Sequence, residues 1–163
     1  MPDVRRDPRV PIWLELLTAV GLSLMAGFLF NMSVVTASAI DTLPPAQALA
    51  AWKAINVTAR NPLFAGAAFG TAVLVVACAA VTWHTRIRYW CLTLALLYVI
   101  GVMGTAFAVE AGINNAIIAA TTLPPDLPRM LSTWLAANHI RTLSALAAFV
   151  VAWLGLRRPA SAG

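Results

Sequence analysis

The sequence predicts an all-α membrane protein, a four-transmembrane-helix bundle with two short interfacial helices on its outer side. Three observations carry that prediction. Four apolar stretches, at about 12–40, 62–83, 89–120 and 139–156, meet or approach the ~20 residues that a ~30 Å hydrocarbon core requires at 1.5 Å rise per residue. Composition is 61% hydrophobic and 10% charged, a depletion of charge foreign to a soluble domain. Finally, the polar residues within the apolar stretches gather toward one side: Asn31, Glu110, Asn114, Asn115, Asn138, His139 and Arg141. Ionisable groups at membrane depth are costly, so they are candidates for function.

The whole chain, 1–163, is expected to form one integral membrane domain, with the lipid bilayer as its main partner. Arg5, Arg6 and Arg9 precede the first stretch, Arg86 and Arg88 lie in the second connection, and Arg157 and Arg158 in the tail. These seven basic residues face four on the other side, Lys53, Arg60, Arg129 and Arg141. The positive-inside rule then places both termini in the cytoplasm and the polar side outward, with a plasma or inner membrane as the expected location. Trp13, Trp83, Tyr89, Trp90 and Trp153 fall at the cytoplasmic ends, as an interfacial aromatic belt requires. The first apolar run exceeds a signal-peptide core, so that segment is expected to be a retained span.

The first span leaves the cytoplasm after Pro11, and Leu43-Pro44-Pro45 breaks the chain beyond it. Residues 46–60 follow as a short interfacial helix. Asn61-Pro62 starts the second span, because Asn caps well and Pro at the first helical position loses no hydrogen bond. The short link around 84–88 makes spans two and three antiparallel neighbours. Gly66 and Gly70, with Gly101 and Gly104, offer small faces for close helix contact. Pro124, Pro125 and Pro128 fill the second outer loop. Residues 129–137 are expected as a second short helix, and Asn138 and His139 open span four.

Several function classes are excluded at this level. The pI near 10.3 reflects eleven basic residues against six acidic ones in a chain poor in charge, with most of the basic residues flanking helices, so no nucleic-acid role is expected. Cys78 and Cys91 lack the spacing of a metal knuckle or redox motif. His84 lies on the opposite side, which leaves one His and one Glu among amides and no closed set for zinc or copper.

The polar residues nevertheless form a constellation. Glu110 precedes Asn114 by one turn on the same face, and is either a base or a partner for Arg141. Arg141 shares a face with Asn138 and Trp134, and needs an anionic or carbonyl partner where it stands. His139 is either a proton shuttle or the interfacial mark of a helix end. Asn56 and Arg60 share one face of the short helix and close the pocket from above. Asn31, Asn115 and the other amides either line that pocket or bond between helices. Phe28, Phe64 and Phe107, at the same level, are walls for a planar aromatic ligand or packing groups.

Three segments carry a family resemblance: AWKAINVTARNPLF at 51–64, GVMGTAFAVEAGINNAI at 101–117, and STWLAANHIRTLSALAA at 132–148. With the four-span layout, they resemble the anthrone-oxygenase-like family of small membrane proteins. The resemblance implies oxidation of the central methylene of a tricyclic anthrone to a quinone by molecular oxygen, without bound flavin or haem. Where the family commonly reads Asn-Val-Pro-Leu-Asn, this chain reads Glu110-Ala111-Gly112-Ile113-Asn114, with a carboxylate in place of the first amide.

The expectation is therefore a membrane-embedded, oxygenase-like enzyme acting on an electron-rich phenol or anthrone, with oxygen as co-substrate. Glu110 or His139 would remove a proton, and Arg141 with the amides would hold the resulting oxyanion. The competing class is a non-catalytic membrane protein that binds a small hydrophobic ligand or supports a larger complex. That class predicts polar residues that saturate one another and leave no room. A transporter fits less well, because no polar relay crosses to the cytoplasmic side. Nothing in the sequence forbids a homo-oligomer.

Overall fold

Five helices account for the regular structure in the computed structural model, which describes residues 10–156. They are α1 (Ile12–Asp41), α2 (Pro45–Ala59), α3 (Pro62–Val81), α4 (Arg88–Ala119) and α5 (Leu127–Leu156). No strand occurs among the described residues. All but α2 are long and apolar enough to cross a membrane, and the chain is an integral membrane protein of the all-α class. Arg5, Arg6, Arg9, Arg157 and Arg158, on which the expected orientation largely rests, lie outside the described residues.

The breaks follow local chemistry. Pro44 and Pro45 end one helix and start the next, because proline accepts the first helical position but cannot continue a ladder. Asn61 caps α3 as expected: its side-chain oxygen accepts from the Phe64 amide at 2.9 Å, and Pro62 follows. One expected boundary is absent. Residues 129–137 run unbroken into the fourth span, making α5 a single helix of 30 residues. Pro128 sits in its first turn, where it costs nothing, and Asn138 directs its amide to α1 instead of capping a new helix.

The four long helices close a ring, with α1 packed on α3 and α5, and α4 packed on α3 and α5. The buried stripe of α5 defines the seam. Trp134, Asn138, Arg141, Ala145, Ala148 and Ala152 recur at helical spacing and are all buried. Its lower part is alanine, which lets helices approach, and there Leu22, Met25, Val75, Leu94 and Tyr98 fill the core. Gly101 belongs to this close packing, since a Cβ there would run into the Ser144 side chain of α5. Gly66 and Gly70 do not: a Cβ on either meets nothing within 4 Å, so the expected small-face contact at that point is not made.

Toward the end that carries α2 the ring loosens. Helix α3 packs closely on Arg88–Leu96 of α4, more thinly on Leu97–Gly104, and has little contact with α4 beyond. Helix α2 covers this end. Lys53 Nζ donates to the Ala120 carbonyl at 3.0 Å, and Arg60 donates to Asn115 Oδ1, tying α2 to the end of α4.

Candidate functional site

The site begins with an irregularity in α4. Leu97–Gly104 and Ala106–Glu110 are π-helical, with wider turns than an α-helix, a departure often found at functional positions. The Val102 carbonyl in this stretch accepts from Arg141 Nε at 3.2 Å. The other end of the guanidinium donates through Nη1 to Glu110 Oε2, forming an ion pair. Both partners are buried, Glu110 at 3% exposure and Arg141 at 8%. An unpaired charge there would be prohibitively costly, so each residue requires the other.

A second network ties α5 to α1. Asn138 Nδ2 donates to the Leu29 carbonyl at 3.2 Å and to Ser33 Oγ at 2.8 Å. Ser33 Oγ and Thr142 Oγ1 are 2.9 Å apart, and Thr142 donates to the Asn138 carbonyl at 2.8 Å. With the Thr142 proton so committed, the Ser33 proton goes to Thr142. This network locks the turn that precedes Arg141.

Between all five helices these groups border a cavity of about 240 Å³. Asn56, Arg60, Glu110, Asn114, Asn138 and Arg141 supply its polar wall. Phe28, Met32, Ile55, Phe64, Phe107 and Trp134 supply most of its apolar wall. Phe28 and Phe64 meet at a tilt of 52° with centroids 4.7 Å apart, and Trp134 meets Trp52 edge to face at 4.6 Å. The polar groups do not saturate one another: Glu110 Oε1, Asn114 Oδ1, Asn138 Oδ1 and the indole nitrogens of Trp52 and Trp134 are buried with no protein partner. Buried polar atoms are rarely left unpaired, so these mark places for a ligand or water.

Ten of the residues singled out from sequence line this cavity: Phe28, Asn56, Arg60, Phe64, Phe107, Glu110, Asn114, Trp134, Asn138 and Arg141. Three do not. His139 follows the inward-facing Asn138 by one residue, a rotation of ~100° on a helix, and is exposed on the outside of the bundle. Asn31 is exposed and donates to Thr36 Oγ1 at 3.2 Å. Asn115 holds Arg60 at the roof and stays outside the lining. Met32, Ile55, Ser33 and Thr142 were not anticipated. Thr142 lies one turn from Asn138 on the same face, so extending the face argument by a turn finds it. Among the described residues no three of His, Cys, Asp and Glu come together.

No curated protein and no solved structure matches the chain. The family model for anthrone oxygenase matches residues 52–151, which include Asn56, Arg60, Phe64, Phe107, Glu110, Asn114, Trp134, Asn138 and Arg141 of the cavity. That match spans more than half of the sequence and reaches from the covering helix through three membrane spans. The chain belongs to the anthrone oxygenase family.

Proposed function

We propose that this protein is a membrane-embedded oxygenase that oxidises an electron-rich aromatic small molecule of the anthrone or phenol type with molecular oxygen, without flavin or haem. One observation carries the reading: a carboxylate held by a guanidinium, with its second oxygen unpartnered, beside an aromatic cavity. This is the placement a general base needs, since Arg141 orients Glu110 while Oε1 is left without a protein partner beside the cavity. Family membership supplies the reaction class.

In this mechanism Glu110 takes a proton from the acidic methylene between two aryl rings. The electron pair left behind delocalises onto the ring carbonyl, and Arg141 with the Asn amides stabilises that enolate oxygen. The carbanion passes one electron to oxygen, and the resulting radical pair joins to form a C–O bond and a peroxide anion. The proton held by Glu110 returns to the peroxide. Loss of the second C–H proton breaks the O–O bond, leaving a carbonyl and releasing water. One oxygen atom enters the product, the other becomes water, and the methylene carbon is the only group oxidised. His139 takes no part, because it faces away from the cavity. The cavity is proposed to face the extracytoplasmic side.

Turnover of an anthrone under heavy-isotope oxygen gas tests the reading. The expected quinone carries one heavy oxygen at the former methylene carbon. A product labelled only from water would overturn direct oxygenation. Tight binding of the anthrone without any turnover would favour a non-catalytic binding protein.

A further inference from the structure

A second cavity of about 540 Å³ adjoins the first and is more open. The two share Asn56, Ala59, Arg60, Phe64 and Asn114, so they lie side by side against common walls. The second extends down α3 from Asn61 and Pro62 through Ala65 and Ala68 to Phe69. Pro62 to Phe69 covers ~10 Å of helix, which carries the opening from the capped corner into the hydrocarbon layer. Its walls are α3, the end of α2 and Asn114 of α4, where the backbones of α3 and α4 diverge, and nothing within 4 Å would meet a Cβ at Gly66 or Gly70. Phe69 and Phe107 face each other across the gap with centroids 6.2 Å apart, and are 52% and 62% exposed. Above, α2 and the Arg60–Asn115 bond cover the end of the bundle.

We infer that this cleft between α3 and α4 is a side entrance through which a neutral aromatic molecule dissolved in the bilayer reaches the Glu110–Arg141 cavity. The inference rests on the reading of that cavity as a site for such a molecule. Charge and shape commit the occupant. The lower walls are alanine and phenylalanine, which offer stacking surface and no partner for a charged headgroup, and the polar side chains, Asn56, Arg60, Asn61 and Asn114, gather at the capped end. An aromatic molecule entering here keeps its rings in apolar surroundings until its oxygens meet the polar wall.

Benzophenone is the probe, because it dissolves in bilayers and labels without turnover. On irradiation its carbonyl takes a hydrogen from a C–H bond and the two carbon radicals join, leaving a C–C bond and an alcohol. The full-length protein is placed in lipid nanodiscs, labelled, and mapped by mass spectrometry. Adducts are expected on Met32, inside the first cavity, at several-fold higher yield than with the water-soluble benzophenone sulfonate. Ala65→Trp fills only the second cavity and should cut Met32 labelling several-fold, whereas Val76→Trp, on an exposed face of the same helix, should not. Where Ala65→Trp fails to elute as a folded protein, Ala65→Leu should give a smaller cut. Equal labelling by the sulfonate, no adduct on Met32, or indifference to both Ala65 variants would overturn the side entrance. A protein that labels Met32 through the cleft yet oxidises no anthrone supports the entrance and overturns only the oxygenase reading.

Discussion

The two ends of this bundle use the same four spans for opposite purposes. At the end away from α2, Ala145, Ala148 and Ala152 and the close approach at Gly101 let helices meet, and neither of the two cavities borders them. At the other end the same stripe of α5 carries Trp134, Asn138 and Arg141, and the helices stand apart around a cavity. In lipid there is little hydrophobic drive between helices, because the tails are as apolar as leucine. Small residues therefore hold one end by contact, and buried polar bonds hold the other. Contact leaves no room, whereas a few directed bonds fix helices in place and leave space between them.

Removing a bond at the polar end should cost most. Arg141→Ala leaves Glu110 buried without its partner, for an expected loss of about 3–5 kcal/mol by thermal unfolding in detergent. Replacing both residues, Glu110→Leu with Arg141→Met, should recover most of that stability while abolishing turnover. Recovery of turnover in the double variant would break the assignment of chemistry to this pair.

Overpacking sharpens the comparison at the next level. Ala148→Leu, at a fully buried contact, should destabilise by about 1–3 kcal/mol. Ala106→Leu projects into the cavity, so it should leave the unfolding temperature nearly unchanged while weakening binding of an aromatic ligand. Equal destabilisation by the two would mean that the ends are packed alike. Ser33→Ala, which breaks two links of the α1–α5 network at about 0.6 kcal/mol each, should cost about 1 kcal/mol. Smallest of all, His139→Ala should leave oxygen uptake unchanged, since the side chain is outside the cavity.

The spans and the ion pair were legible in sequence for one physical reason: charge and apolar length are what a bilayer penalises most steeply. Glu110 and Arg141 had to find each other once both were placed at membrane depth on one side. The Asn61-Pro62 start was legible because capping is local chemistry. What escaped depends on rotation and on neighbours. His139 and Asn138 are adjacent in sequence but ~100° apart around the helix, and only the seam of α5 decides which of them points inward. Ser33 and Thr142 are ordinary hydroxyls until Asn138 reaches between them. The π-helical turns of α4, which present the Val102 carbonyl to Arg141, leave no mark in residue type.

Oxygen uptake by the purified protein with an anthrone, with and without chelator, compared between the native chain and Glu110→Gln, tests the central claim most directly. The account predicts uptake that survives the chelator and falls on the order of a hundredfold or more in the variant, the scale of a lost general base. Uptake that is abolished by the chelator, or unchanged in Glu110→Gln, would contradict it.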